Sequence, residues 1–451
     1  MKITIPHIHK IEGEAGFWAS VTKTGEIKEL KINVLEGLRQ IEGILIGRRI
    51  KEAPLVISRV CGICPVVHIL NACQALENAL DVKVSDEIFL WRKLFLASQI
   101  VQSHALHLFF MSLPDFFDTS TSLSVNGEHS RTIDIESNFD LMKKFKKEAK
   151  AALEIRDFSL KITEIIGGRK VHPITPKIGG FSRMPNKEDL KKLLPRLPKI
   201  LESTQILAKT FENLSYPKFQ KETLFASLFS KNEYPYFQGL VKINNKKMTP
   251  ADFYSNQIEE CLKIPPVKRV RYLGKPYMLG AIARIKNDSR LLNPLAKKYF
   301  EEFKKKNNLS DEEFFQNIYH NLFCQMIEVL HFLEESGKLI KEILTLKTKE
   351  EKAEIKIKKG PEVEKAHYGA SSGLSAMEAP RGTLFTYFEI DKKGRILNCN
   401  IVTPTAQFLA NLEDDLKLIL PKILKLSEEK RKRKIRALIR VYDPCISCAT
   451  H

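Results

Sequence analysis

Two short cysteine pairs carry the most distinctive chemistry of this chain. Cys61 and Cys64 lie in Arg59-Val60-Cys61-Gly62-Ile63-Cys64-Pro65-Val66-Val67-His68, and Cys445 and Cys448 in Asp443-Pro444-Cys445-Ile446-Ser447-Cys448-Ala449-Thr450-His451. A Cys-x-x-Cys turn aims two thiolates at one soft metal ion, and the cation lowers their pKa and keeps them deprotonated. One pair supplies two ligands; two pairs supply four. The paired cysteines of zinc ribbons lie about 15 to 20 residues apart, whereas Cys61 and Cys445 are 384 positions apart. That separation argues against a local zinc staple. It leaves open a zinc site closed by the fold, a redox metal or cluster, and a disulfide or redox dithiol. The second motif runs out at His451, so the terminus itself is expected to take part in the metal chemistry.

Elements on either side must bring these pairs together. The segment from Met1 to about Glu36 alternates apolar and polar residues around Thr24-Gly25-Glu26, a β-hairpin signal, and a short helix should follow near Leu38 to Ile50. The first pair sits on the turn before a helix over Val66 to Leu80, and a helix N-terminus helps hold thiolates charged. From about Asp86 to Leu214 long helices dominate, broken near Leu113-Pro114-Asp115 and by a loop from Gly167 to Arg183. Residues 216–290 are mixed and read as an irregular segment or small subdomain. Leu292 to Leu346 returns to helix, Lys347 to Lys365 reads as an exposed connection, and Arg381 to Val402 is a second hairpin around Asp391-Lys392-Lys393-Gly394. The expected fold is mainly α with small β-hairpins (α+β). Its intertwined helical-bundle core makes residues 1–451 one unit, with the N- and C-terminal motifs meeting at a buried metal site.

Composition narrows the function classes. With 451 residues and 43% apolar composition the chain can bury a large core. A net charge of +19 ordinarily raises nucleic acid or an anionic membrane as a partner. Much of that charge is lysine on helical stretches such as Met142 to Lys150 and Lys425 to Arg436, which reads as solvated helix faces, so no nucleic-acid partner is expected. The chain opens directly on an alternating strand with no signal peptide. The apolar helix from Leu90 to Leu113 carries Arg92, Lys93, Gln99, Gln102, His104 and His107 and reads as a core helix too polar to span a bilayer. A cytoplasmic location is expected, with membrane association only through partner subunits. Of the eight cysteines, Cys73, Cys261, Cys324 and Cys399 are isolated and read as small buried hydrophobes. No iron-sulfur cluster is therefore expected in this chain.

The wording of the two cysteine motifs closely resembles the two signatures of the large subunit of nickel-iron hydrogenases, in order and position. Lys10-Ile11-Glu12-Gly13, the stretch Arg39 to Arg48, Ala379-Pro380-Arg381-Gly382 and Pro404-Thr405-Ala406-Gln407 extend the resemblance across the chain. Within the family, Gln102 to His107 and the Pro-Thr-Ala-Gln word are most similar to the soluble cytoplasmic multi-subunit group. The resemblance implies nickel held by Cys61, Cys64, Cys445 and Cys448, with Cys64 and Cys448 bridging to an iron that carries carbon monoxide and cyanide. The implied reaction is reversible heterolytic cleavage of H2, with Cys445 accepting the proton and Glu12 carrying it onward. Taken alone, Glu12 would be a solvated carboxylate; its motif position gives it the relay role.

By the same resemblance Arg381 projects over the metals, Thr405 and the backbone near Pro404 serve a cyanide, Asp443 positions Arg381, and His68 bonds a bridging thiolate. Glu42, the Ile401 carbonyl and His451 resemble a magnesium or iron site. Implied partners are an iron-sulfur small subunit, further electron-transfer subunits, maturation proteins and a protease that removes a tail after His451. Three departures bear on tuning: Glu14 where many relatives have His, Ser103 where membrane-bound relatives have Asp, and Phe408 where close relatives have a polar residue. Competing readings are a hydrogen sensor with the same ligands, a nickel-free quinone-site subunit, which the four retained cysteines oppose, and a zinc protein.

Overall fold

The computed structural model describes residues 1–117, 138–261, 267–346 and 371–451, the side chains of 256–261 excepted. The chain opens as an antiparallel meander of β1 (Lys2–Ile5), β2 (Ala15–Val21) and β3 (Ile27–Val34), with Ile5 opposite Phe17 and Ala15 opposite Val34. The expected turn around Gly25 joins β2 to β3. The helix expected near Leu38 to Ile50 is only α1 (Ile41–Leu45), because Gln40 at its start is left-handed and Gly43 and Gly47 weaken the next turn. After it comes α2 (Pro65–Leu80), with Pro65 in the first turn, where its missing N–H costs nothing.

Next is α3 (Asp86–Leu106), started by a Ser85 cap on the Ile88 N–H and by Asp86 and Glu87 in the first turn. It continues as a wider turn over His107–Ser112. By length and composition Asp86–Phe116 passes as a membrane-spanning helix, against the expectation that it is too polar, but 83% of its apolar window is buried inside the protein. Arg92 on it is paired with Glu77 through two bonds of 2.7 and 2.8 Å. Against α3 pack α4 (Lys146–Gly167) and α6 (Asn321–Thr345), and α5 (Leu197–Glu212) packs on those two, giving the helical centre of the molecule. The loop expected over 167–183 holds a small strand pair, Pro176–Lys177 with Gly180–Phe181. Residues 216–290 contain a three-stranded sheet over 226–248, a short pair and the helix Ala281–Asp288. The charged run Lys347 to Lys365 lies outside the described residues.

The C-terminal third returns to sheet: β4 (Ser371–Ala379), β5 (Gly382–Ile390) and β6 (Ile396–Val402), antiparallel in that order. The sequence predicts β5 and β6 with their turn; β4 is not foreseen, because Ser371-Ser372-Gly373 has little strand signal. Its place comes from packing. Gly373 lies so close to α2 that a Cβ there would stand 2.1 Å from the Ala75 carbonyl oxygen. Gly373→Ala should therefore push β4 off the helix that carries Cys64 and cost about 1–3 kcal/mol, read as a lowered unfolding midpoint. After β6 follow α7 (Pro404–Ile423), α8 (Glu428–Val441) and the single turn α9 (Ile446–Ala449). One apolar core runs from Ile3 to Ala449.

Candidate metal centre

The first cysteine pair immediately precedes α2. Cys61 ends a tight turn over Ser58–Val60 and is extended, and Cys64 is the residue before Pro65. That leaves two backbone N–H groups free to point back at sulfur: Ile63 and Cys64 both donate to Cys61 Sγ at 3.3 Å. The loop is fixed by α3, where Gln99 accepts from the Val66 N–H at 2.5 Å and Gln102 donates to the Ile63 carbonyl at 2.8 Å. In the second pair Cys445 precedes α9 and Cys448 lies within it, and the Cys445 N–H donates to Thr405 Oγ1 at 3.0 Å at the head of α7.

Across these ends the four sulfurs converge. Cys61 Sγ lies 3.6 Å from Cys445 Sγ, Cys64 Sγ 3.1 Å from Cys448 Sγ, and Cys445 Sγ 2.8 Å from Cys448 Sγ. All four are buried and within 4.8 Å of one another. Burial raises the thiols of Cys445 and Cys448 far above the usual range. Burial also opposes ionisation of Cys61, but hydrogen bonds from Cys445, Cys448 and Cys64 and the Arg381 charge outweigh it and hold this thiol down. Four buried sulfurs of this kind ionise together only around a multivalent soft cation.

A cavity of about 10 Å³, near the size of one water probe, borders Cys64, Cys445 and Cys448, with Arg381 and Thr405 also on its wall. It does not border Cys61. Arg381 enters it from the two-residue turn between β4 and β5, where Ala379 pairs with Gly382. Its Nε donates to the Asp443 carbonyl at 2.6 Å and Nη2 to Asp443 Oδ1 at 2.8 Å, while Nη1, buried, has no protein partner. Burial opposes its charge, yet Asp443 and the thiolates keep it protonated. Asp443 is itself held by Gln325 Nε2 at 3.2 Å and lies 3.7 Å from His107. His68 Nε2 is 3.6 Å from Cys448 Sγ, and burial lowers its pKa to about 4, so the ring is neutral and has one N–H to give. Pro404 starts α7 and also lines the cavity.

On the opposite side stands Glu12. Its backbone bridges to Cys445, and the Ile446 N–H donates to its carbonyl at 2.8 Å. Its Oε2 accepts from Cys445 Sγ at 2.8 Å, and Ser447 Oγ lies 2.7 Å from both carboxylate oxygens. Burial and the Cys61 charge raise its pKa, against the lowering bonds from Cys445 and Ser447. Such closeness needs Gly13: its φ is +82°, and a Cβ would lie 2.8 Å from the Ser447 nitrogen. The sequence does not single out Ser447, Glu36 or Arg39. Arg39 Nη2 donates to the Val60 carbonyl at 2.7 Å and also to that of Ser447, tying the two motifs together. Its place in the quoted Arg39 to Arg48 stretch was the available signal.

A second cluster surrounds the last residue. His451 Nε2 is 2.8 Å from the Ile401 carbonyl and 3.4 Å from Glu42 Oε1, and the Ile401 N–H donates to Glu42 at 2.6 Å. Lys268 Nζ reaches the same Glu42 oxygen at 3.0 Å and the Ile401 carbonyl at 3.2 Å, and bonds Asn400. Burial alone would raise Glu42, but His451, Lys268 and the Ile401 N–H take it down to about 2. The donors here are carboxylate, carbonyl and imidazole, and they already gather positive charge. Of the departures noted in the sequence, Glu14 is exposed, Ser103 is buried with no partner for its hydroxyl, and Phe408 is buried against Tyr442. Cys73, Cys324 and Cys399 are buried and free, as expected of small apolar residues; the Cys261 side chain lies outside the described residues.

Comparison with known proteins places this geometry. The sequence model of a family described as nickel-dependent hydrogenase matches residues 39–150 and 221–451. The chain is 29% identical to sulfhydrogenase 1 subunit alpha of Pyrococcus furiosus, over 100% of this chain and 98% of that one. It is 24% identical to the HoxS subunit beta of the NAD-reducing hydrogenase of Cupriavidus necator, over 100% and 94%. Its fold is similar to a crystal structure of an NAD+-reducing [NiFe]-hydrogenase in the H2-reduced state, with a TM-score of 0.83, 24% identity, and 100% and 99% of the chains covered.

Proposed function

The chain belongs to the nickel-dependent hydrogenase family, and from that premise we propose the roles of its residues and the partners of its reaction. It is the catalytic subunit of a nickel-iron hydrogenase, an oxidoreductase that cleaves H2. The observation that carries the site assignment is the convergence of four buried sulfurs from both ends of the chain. Cys61, Cys64, Cys445 and Cys448 hold nickel; Cys64 and Cys448, which border the cavity, also hold iron with its carbon monoxide and cyanide ligands. The bound metal pair supplies an electron-rich site that polarises H2 and takes up its electrons.

The protein's part is proton handling and orientation. Cys445 receives the proton, and Glu12, 2.8 Å from its sulfur, takes it away with Ser447 keeping the carboxylate in place. A carboxylate whose pKa is raised by burial suits that exchange. Arg381 offers the unpartnered Nη1 to the cavity and Thr405 its hydroxyl hydrogen, the backbone near Pro404 serves the same group, and Asp443 and His68 hold Arg381 and Cys448. Apolar walls from Ala379, Pro380 and Leu384 keep water out.

Glu42, the Ile401 carbonyl and His451 suit magnesium, or iron, with water completing the shell. Residues 1–451 act as one unit, with 216–290 as its irregular part. The electrons pass to an iron-sulfur small subunit and beyond it to further electron-transfer subunits, a reading supported by relatives that are named as subunits. Maturation proteins supply the diatomic ligands, and a protease trims the C-terminus. The complex most resembles the soluble, cytoplasmic multi-subunit group. The hydrogen-sensing reading is not carried forward, since the relatives are named as enzymes.

Metal analysis and infrared spectroscopy of protein purified from its native host test this reading. Nickel together with iron, and carbon monoxide and cyanide stretching bands, are expected. Zinc alone, without such bands, would overturn it.

A further inference from the structure

We propose that Arg284 is a positioning residue for Arg381, setting where its guanidinium meets the metal pocket; the proposal rests on the role assigned to Arg381 above. Arg381 sits at the tip of a β-hairpin, a place that is ordinarily exposed and loose. Here the tip is buried, and what grips its backbone lies far away in sequence. Arg284 projects from the short helix Ala281–Asp288 and is fully buried. A guanidinium has five N–H donors in a fixed fork, and the structure gives Arg284 five acceptor contacts. Nε and Nη2 take the two oxygens of Glu328, each at 2.6 Å. Nη1 takes Glu378 Oε2 at 2.8 Å and the Ala379 carbonyl at 3.0 Å, and Nη2 also takes the Pro380 carbonyl at 3.0 Å.

Three of the five acceptors are therefore the three residues that lead into Arg381. Glu328 is fixed in turn by Tyr234 at 2.7 Å and His104 at 2.9 Å, so the fork cannot swing. Glu378 also accepts from Thr383 at 2.6 Å, across the turn. The same short helix is tied to the other grip on Arg381. Asn321 accepts from the Ile282 N–H and donates to the Val441 carbonyl, two residues before Asp443. Buried ion pairs contribute little net stability compared with apolar packing of the same volume, so this network is better explained by the turn that it holds still.

A double-mutant cycle on the enzyme complex decides the matter, with Arg284→Lys, Arg381→Lys and both together. Lysine keeps the charge of Arg284 but not the fork. The readouts are D2/H+ exchange, the infrared cyanide bands, nickel and iron content, and amide hydrogen exchange of residues 378–384 in the metal-free chain. We expect Arg284→Lys to slow D2/H+ exchange about 10- to 100-fold, as a misplacement near 1 Å does. It should shift the cyanide bands at unchanged metal content and speed amide exchange in the turn. On the Arg381→Lys background it should add less than about twofold, because there is no guanidinium left to place.

Unchanged exchange and bands in Arg284→Lys, or a loss that multiplies in full on the Arg381→Lys background, would overturn the proposal. If Arg381→Lys alone changes nothing, it is the reading of Arg381 that falls. Should Arg284→Lys fail to take up nickel, Glu328→Gln, which loosens the fork from its far side, is judged by the same outcomes.

Discussion

Cys448→Ser should yield a chain without nickel and with H2 cleavage at the level of the metal-free protein. Serine is nearly the same size, so the fold is not what fails. Its hydroxyl is a hard, weakly acidic ligand that stays protonated where a thiolate would form, and soft metals select sulfur. The position also touches several partners. Cys448 Sγ lies 2.8 Å from Cys445 Sγ, 3.1 Å from Cys64 Sγ and 3.6 Å from His68. Losing the donor that faces two of the other three sulfurs and the cavity should remove iron along with nickel. A graded contrast is expected at His68, where His68→Ala deletes only a hydrogen bond to the ligand and should lower metal retention about 10- to 100-fold. Metal content of both variants, purified with their partner subunits, provides the check. Full nickel in Cys448→Ser would sink the four-thiolate assignment.

The cysteine pairs were legible because residue type and spacing carry their chemistry in a short word, and Glu12, Arg381 and His451 were picked out because the short words around them resemble the family's. The helix after Cys64 and the hairpin after Arg381 were legible from a proline, a turn and periodicity. What stayed hidden depends on distant chain segments. β4 has almost no strand signal of its own and exists because Gly373 lets its backbone touch α2. Arg284 and Glu328 read as ordinary helix charges until the fold buries both completely. Ser447 stands between two ligand cysteines in the motif, and only the close approach that Gly13 permits brings it to Glu12. The α3 helix reads as a core helix from the polar residues it carries, and its burial agrees, although its length and composition also pass for a membrane span.

Glu12→Gln separates the proton path from the metal site. Glutamine keeps the size of the side chain and can still bond Ser447, and none of the four sulfurs is touched. Nickel, iron and the infrared bands should therefore be unchanged. What glutamine cannot do is take a proton from Cys445 and release it again. General acid-base partners of this kind contribute about 10²- to 10⁴-fold, so turnover and D2/H+ exchange should fall within that range. Glu12→Asp keeps the chemistry but draws the carboxylate back by one methylene from its 2.8 Å contact with the sulfur, and should recover part of the rate. The pH dependence gives a second signature. Burial raises the Glu12 pKa above the usual carboxylate value, so in the native enzyme the acid limb of the exchange profile should lie above that value. In Glu12→Gln the limb should disappear, not merely shift, because no titrating group remains at that place. If Glu12→Gln retained full exchange with an unchanged profile, the proton would be leaving Cys445 by another group, and the 2.8 Å contact would be a structural bond only.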